Sequence, residues 1–298
     1  MKSVIITGVS GFLGSHVARN LVNAGWKVVG VKRSSSDLSR IRDIVDQLSL
    51  FDVSEHPIQK LFHDGLNPTA ILHFATEYGR GYDGVANVLQ ANTVFPLKLL
   101  ELAIEFGVEV FINSDTCYTL EYKHLQAYTL SKKQFVQWAK QITKSIKFIN
   151  LVLHHPYGPN DAESKFVPFI VRECLESRDK IPLTLGDQRK DFIYIDDVVR
   201  AVRLMLEKAQ YLPAGFSEWE CGSGKAIPVR QLVETVHRMT SSIARLDFGA
   251  LSYRLGENMN SQADISRLRE LGWKPEIDIE DGIRLTINHY RNKSVRTN

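Results

Sequence analysis

Apolar residues in the first half of the chain fall into short runs that alternate with longer stretches of helical periodicity. The opening run Val4-Ile5-Ile6 predicts a strand over 2–7, and the amphipathic stretch after it, closed by Gly25, predicts a helix over 12–24. The pattern continues with strands 27–31, 47–51, 69–74, 108–113 and 147–153, and with helices near 38–46 and over 86–106 and 127–144. Strands and helices in alternation imply an α/β protein, a doubly wound parallel sheet covered on both faces, with ligands at the carboxyl ends of the strands. After residue 155 the pattern loosens into turns punctuated by Pro156, Pro159, Pro168, Pro182, Pro213 and Pro228, which predicts a smaller, interleaved lobe. The segment Phe192 to Asp197 reads as a strand leading into a helix and is expected to return to the main sheet.

The turn after the first strand is Gly8-Val9-Ser10-Gly11-Phe12-Leu13-Gly14. Gly8 permits a tight turn, Gly11 lets a phosphate approach the backbone, and Gly14 allows the helix to pack closely on the strand. The free N–H groups of the helix start face the pyrophosphate. These features predict a Rossmann-type dinucleotide site in which Ser10, Phe12 and Leu13 share the binding with the glycines. At the end of the second strand an acidic residue favours NAD, because its charge repels a 2′-phosphate. This chain has Lys32-Arg33-Ser34 there, two cations and a hydroxyl suited to a phosphate dianion. NADPH is therefore the expected cofactor.

Ser114 is expected at the end of the fifth strand, and Tyr128 and Lys132 lie four residues apart on the following helix, so they share a face. A free phenol with a pKa near ~10 is a poor acid or base at neutral pH, and a neighbouring ammonium favours its ionised form. In this constellation Tyr128 is the proton donor, Lys132 tunes it and holds the nicotinamide ribose, and Ser114 hydrogen-bonds the substrate oxygen.

Composition narrows the function classes. The chain of 298 residues is 44% apolar and 24% charged with a formal charge of +3, and its cations are scattered, so nucleic-acid binding is not indicated. Three cysteines, Cys117, Cys174 and Cys221, lie far apart, which gives neither a disulfide framework nor metal-ligand spacing. No apolar run reaches membrane-spanning length and the first strand opens at residue 2, so a cytoplasmic protein with no metal and no membrane partner is expected.

The spacing GxxGxxG together with Ser114, Tyr128 and Lys132 resembles the extended short-chain dehydrogenases/reductases, the NAD-dependent epimerase/dehydratase family. The resemblance implies that Asp52 and Val53 touch the adenine end of the cofactor, and that Phe74, Ala75, Thr76, Asn92 and His155 line it. Asn113-Ser114-Asp115-Thr116 occupies the place where nucleotide-sugar dehydratases carry Thr-Asp-Glu, and Thr116 replaces the glutamate that removes the C5 proton. Dehydration is thereby disfavoured. Pro156-Tyr157-Gly158-Pro159, Lys165-Phe166 and Arg189-Lys190-Asp191-Phe192 are similar to nucleotide-sugar enzymes of this family, and Ala75-Thr76-Glu77-Tyr78-Gly79, Phe95-Pro96-Leu97-Lys98-Leu99-Leu100 and the Asn-Ser-Asp-Thr run more narrowly to its nucleotide-sugar 4-ketoreductases. That likeness implies reduction by NADPH of the C4 ketone of a CDP-, dTDP- or GDP-linked 4-keto-deoxyhexose, for surface polysaccharides such as O-antigen. It assigns Glu77, Tyr78, Asp115, Thr116, His155, Lys165, Phe166, Arg189, Lys190 and Arg254 to the substrate. The expected division is a dinucleotide domain over 1–155 with 192–208, and a substrate lobe over 156–191 and 209–298. Apolar stripes on helices 86–106 and 127–144 predict a homodimer. The alternatives are an epimerase that holds NAD tightly, against which Lys32 and Arg33 argue, a reductase of an aromatic or CoA-linked carbonyl, and a non-catalytic dinucleotide sensor, which has no need of the three catalytic residues together.

Overall fold

The computed structural model describes residues 2–63, 67–79 and 84–296, and the side chains among them except those of His63 and residues 293–296. The chain divides into two compact units, one of Met1–Leu120, Leu125–Leu153 and Val199–Trp219, the other of Glu121–His124, His154–Val198 and Glu220–Asn298.

The first unit is built on strands β1 (Ser3–Thr7), β2 (Lys27–Lys32), β3 (Ser49–Asp52), β4 (Ala70–His73), β5 (Val110–Thr116) and β6 (Lys147–Leu153), with β11 (Gly215–Cys221) at one edge. The order across the sheet is β11-β6-β5-β4-β1-β2-β3, and β1 to β6 pair in parallel. The chain order therefore reverses between β1 and β4, the Rossmann arrangement whose switch point lies at the carboxyl ends of those two strands. Both faces of these strands are covered, which is why they read as near-continuous apolar runs. Their filling includes Phe111, Phe135 and Phe148, each fully buried, with the Phe111 and Phe148 rings stacked 5.3 Å apart.

The helices of this unit are α1 (Phe12–Asn23), α2 (Lys60–His63), α3 (Val85–Leu89), α4 (Phe95–Glu105) and α5 (Gln126–Ile142). The expected helix 86–106 is α3 and α4 joined through a π-helical turn over Gln90–Val94. Pro96 explains the slip: it lacks an N–H for the carbonyl four residues earlier and its ring crowds that carbonyl, so the ladder shifts register. The turn carries the buried Asn92 and Thr93. The helix expected near 38–46 is instead two 3₁₀ turns, Ser39–Ile41 and Val45–Gln47. Its only buried apolar side chains, Ile41 and Ile44, are three residues apart, the spacing of the i to i+3 hydrogen bonds that form here.

Two boundaries differ from the sequence expectation. The fifth strand runs on to Thr116, with Asp115 opposite Val152 and Thr116 opposite Leu153, so Ser114 lies within it. The segment Ile193–Tyr194 (β10) pairs with β7 (Pro156–Tyr157) and not with the main sheet. The strand that does join the main sheet late in the chain is β11, inside the range assigned to the substrate lobe.

In the second unit, β8 (Lys180–Leu183) pairs with β13 (Arg245–Phe248), and β9 (Arg189–Asp191) lies between β12 (Ala226–Pro228) and β14 (Asn260–Ser261). Helices α6 (Phe166–Leu175), α8 (Val229–Thr240) and α10 (Ile279–Arg296) pack on one another, and α9 (Ser266–Glu270) is short; α7 (Ile195–Glu207) follows β10 and contributes residues to both units. Asp191 is fully buried and accepts hydrogen bonds from the backbone N–H groups of Ser223, Gly224 and Ala263 and from the Ser223 hydroxyl. A buried carboxylate needs such donors, and they fix the loops around it.

Candidate active site

The glycine turn at the switch point has a direct steric basis. Gly8 has φ of +68°, and a Cβ there would lie 2.7 Å from the backbone nitrogen of Ala75. Gly11 donates its N–H to the Gly8 carbonyl at 2.9 Å, and a Cβ on Gly14 would collide with that same carbonyl oxygen. Helix α1 begins immediately after Gly11, so its first N–H groups, Phe12 and Leu13 included, have no intrahelical acceptor. A backbone cradle with glycine at its closest approaches and donors at its rim fits a dinucleotide pyrophosphate. Ser10 lies in this turn, and Phe74, Ala75 and Thr76 follow β4 beside it.

The basic turn after β2 is arranged differently from the sequence expectation. Lys32 pairs with Asp52 at 2.5 Å, and the Ser34 hydroxyl donates to the same carboxylate oxygen at 2.9 Å. The Ser54 N–H donates to the other oxygen. The Lys32 ammonium, followed by Ser54 and Ser34, holds the Asp52 carboxyl well below the usual carboxylate range. Parallel register sets Lys32 opposite Asp52, so a strand-end carboxylate consumes the cation and hydroxyl expected to grip a 2′-phosphate. Arg33 is exposed, and Val53 continues the backbone pairing through its N–H to the Lys32 carbonyl.

Ser114, Tyr128 and Lys132 are all buried in the first unit. Lys132 Nζ donates to the Ser114 carbonyl at 2.8 Å, and the Ser114 hydroxyl donates to the His73 carbonyl at 3.1 Å. Burial lowers the Lys132 ammonium to about 8, while Asp115 opposes that shift. The Tyr128 phenol lies against the Thr116 hydroxyl, and burial first, then Tyr78 and Asp115, holds it well above its ordinary value. The Tyr78 ring stacks on the Tyr128 ring with centroids 4.8 Å apart. A buried, protonated phenol is suited to donate a proton, and to accept one once positive charge arrives beside it.

Several residues assigned from sequence are engaged elsewhere. Asn92 Oδ1 accepts from the Thr76 hydroxyl and the Glu77 N–H, and its Nδ2 donates to the Glu77 carbonyl and the Ser131 hydroxyl. All four of its hydrogen-bonding positions are filled, so it clamps the 76–77 segment rather than facing a ligand. Asp115 is closed to substrate: its carboxylate is fully buried and bound by Lys133, Asn150 and the Thr116 N–H. Glu77 Oε1 accepts from the Gly79 N–H. In the second unit Lys190 is buried, paired with Glu257 at 2.8 Å and donating to the Asn258 carbonyl, which removes it as a phosphate ligand. Arg189 donates to the Ala226 carbonyl and Arg254 to the Tyr122 hydroxyl. His155 sits at a φ of +39°, and burial, then Lys190, His154 and Lys165, lowers it to about 3, so it is a neutral imidazole and no cation for a diphosphate. Lys165 is partly buried at the start of α6, next to Phe166.

Three residues escaped the sequence reading. Thr7 bridges His73 Nδ1 at 2.8 Å and the Ala75 N–H, joining the ends of β1 and β4. Lys133 and Asn150 capture Asp115. Asn150 carried a signal, since an amide inside the apolar run of a buried parallel strand requires a partner.

Residues 4–216 match the model of the NAD dependent epimerase/dehydratase family. The chain belongs to that family. It is 32% identical to a CDP-abequose synthase of Salmonella muenchen in an alignment of 289 positions that covers 95% of this chain and 96% of that protein. Among solved structures it resembles a UDP-glucose 4-epimerase of Thermotoga maritima with UDP-glucose, at TM-score 0.84, 22% identity and coverage of 98% and 99% of the two chains. It also resembles a UDP-glucuronic acid 4-epimerase of Bacillus cereus in complex with UDP-glucuronic acid and NAD, at TM-score 0.83, 20% identity and the same coverage. These two likenesses establish the fold. Two expectations are corrected here. Membership in a family of NAD-dependent epimerases and dehydratases, with NAD in solved relatives, overturns NADPH as the cofactor and with it the assignment as an NADP-dependent 4-ketoreductase. The Lys32–Asp52 pair supplies the physical reason. Among the described residues, no helix is long and apolar enough to cross a membrane.

Proposed function

We propose that this chain is an NAD-dependent nucleotide-sugar epimerase that oxidises a sugar hydroxyl carbon to a ketone and returns the hydride to its other face. The observation that carries this is the buried Ser114–Tyr128–Lys132 group beside a glycine cradle whose neighbouring turn holds a carboxylate, Asp52, in place of a free phosphate site. NAD, when bound, supplies the acceptor and then the donor of the hydride. The glycine turn and the start of α1 would hold its pyrophosphate, Asp52 its adenosine end, and Lys132 the nicotinamide ribose. Lys132 stabilises the phenolate of Tyr128, which takes the hydroxyl proton as the hydride leaves the same carbon. The Ser114 hydroxyl hydrogen-bonds the sugar oxygen through both half-reactions. Return of the hydride is matched by return of the proton from Tyr128, so no cofactor is consumed. Thr116 stands where a dehydratase places its glutamate, and this favours epimerisation within the family.

The names of the relatives support a nucleotide sugar as substrate and C4 as the reacting carbon. Helix α5 exposes Leu130 and Trp138, and α3 exposes Val85 and Leu89, which supports a homodimer joined through these helices. Denaturing the purified protein and identifying the released nucleotide tests the cofactor, and proton NMR of CDP-, UDP-, dTDP- and GDP-hexoses tests the reaction. We expect retained NAD and an equilibrium of C4 epimers with no added cofactor. Stoichiometric consumption of NADPH, or no change in any sugar, overturns the proposal.

A further inference from the structure

Two adjacent lysines on α5 reach the same strand. Lys132 Nζ donates to the Ser114 carbonyl at 2.8 Å, and Lys133 Nζ donates to the Thr116 carbonyl at 3.1 Å and to Asp115 Oδ2 at 2.8 Å. Asp115, between those two carbonyls, has a side chain with no exposure, whereas that of Lys133 is 35% exposed. Asn150 on β6 completes the arrangement, donating to Asp115 Oδ2 at 3.0 Å and to Glu218 Oε2 at 2.9 Å, and accepting from Asn113 at 2.7 Å. A fully desolvated carboxylate retains its charge only where donors compensate it, and Lys133 is the cation among them. Thr116, gripped through its carbonyl by Lys133, is also the residue whose hydroxyl meets the Tyr128 phenol.

We propose that Lys133 and Asp115 form a positioning pair for the reaction: together they lock α5 onto β5, so that the Tyr128 phenol and Lys132 ammonium are held against Thr116 and Ser114, while touching neither sugar nor dinucleotide. The proposal rests on the hydride-transfer role given above to Tyr128 and Lys132. Its chemistry is electrostatic as well as mechanical. The groups facing Tyr128 are Tyr78 and Tyr118 from the loops after β4 and β5, and Asp115 and Thr116 from β5. Those facing Lys132 are Asp115, Lys133 and the neutral imidazole of His73. Asp115 stabilises the Lys132 ammonium and Lys133 opposes it, Asp115 being the larger of the two influences.

The test uses the purified full chain and the variants K133M, K133R, D115N and K133M/D115N. Titration of ε-13C-labelled lysine by NMR, with the Lys132 signal assigned from K132R, reads the pair without any substrate. From a starting value of about 8, the Lys132 midpoint should rise in K133M and fall by more in D115N. In the double variant it should return towards the starting value, and in K133R it should stay in place. Where epimerisation is measurable, K133M should lower kcat about tenfold with KM for the sugar within about twofold, and K133R should restore it. A Lys132 midpoint unchanged in both K133M and D115N overturns the proposal, as does wild-type kcat in K133M. If K133M does not fold, the midpoints of D115N and K133R decide in the same way. Absence of epimerase activity in the wild type, with the midpoints shifting as stated, would instead count against the proposed function and leave the pair's action on Lys132 established.

Discussion

The ring of Tyr78 stacks on that of Tyr128, centroids 4.8 Å apart and planes inclined by 25°. Tyr78 thereby shares in the burial that keeps the phenol protonated, and its own hydroxyl adds to the effect. Replacing Tyr78 by Phe keeps the stack, so activity should stay within about threefold. Replacing it by Ala removes a stack worth about 0.5–1.5 kcal/mol and admits water, which lowers the phenol pKa. The acid limb of the pH–rate profile should therefore move to lower pH in Y78A, with kcat reduced up to about tenfold. An unmoved limb would show that Tyr78 does not shield the phenol.

Tyr128 is the phenol that shares a helix face with Lys132, whereas its hydroxyl neighbours Tyr78, Tyr118 and Thr116 lie outside α5. Tyr128→Phe should lower kcat by about 10²–10⁴-fold, the usual contribution of a positioned acid–base group, and leave NAD retention unchanged. Quantifying released nucleotide beside the rate separates the two effects.

The Lys32–Asp52 pair yields a prediction about cofactor choice. While Asp52 holds Lys32 and Ser34, a 2′-phosphate meets a compensated cation and a carboxylate at the strand end. Asp52→Asn should release both donors and remove a negative charge, raising affinity for NADP about tenfold or more relative to NAD. Equilibrium titration of nucleotide-stripped protein with each dinucleotide gives the ratio. An unchanged ratio would mean that the adenosine end of the cofactor does not reach Asp52.

What was legible in the sequence was local. The glycine turn follows a strand directly, and Tyr128 and Lys132 obey the i, i+4 rule of a single helix, so both are readable without tertiary information. The errors arose where register or distant contacts decide. Lys32 and Arg33 read as a phosphate grip because nothing in the sequence sets Asp52 opposite Lys32; the β2–β3 register does that. Lys190 read as a substrate cation until the fold brought Glu257 to it, and Asp115 read as a substrate group until Lys133 and Asn150 closed over it. The π turn before Pro96 was half legible, since proline announces a ladder defect but not whether the helix ends or slips. Likewise β11 has no local mark of joining the main sheet, because its partner, β6, lies far back in the chain.

His155 gives the stability of the chain a defined pH dependence. Its imidazole is lowered to about 3 in the folded chain by burial and by Lys190, His154 and Lys165, against ~6.5 when unfolded. Between those values the unfolded chain binds the proton and the folded chain does not, so the contribution is fully present above pH ~6.5 and declines as pH falls towards about 3. The slope from one such group approaches at most about 1.4 kcal/mol per pH unit. His154 is lowered in the same sense, chiefly by burial with Glu220 opposing, and adds a smaller slope. The substitution that isolates His155 is Asn, because the position has a φ of +39° and Asn tolerates the left-handed region. Denaturant midpoints at pH 7.5 and 5 should differ clearly in the wild type and much less in H155N, with the remaining difference assigned to His154. Equal differences in the two proteins would show that His155 takes up its proton without cost to the fold.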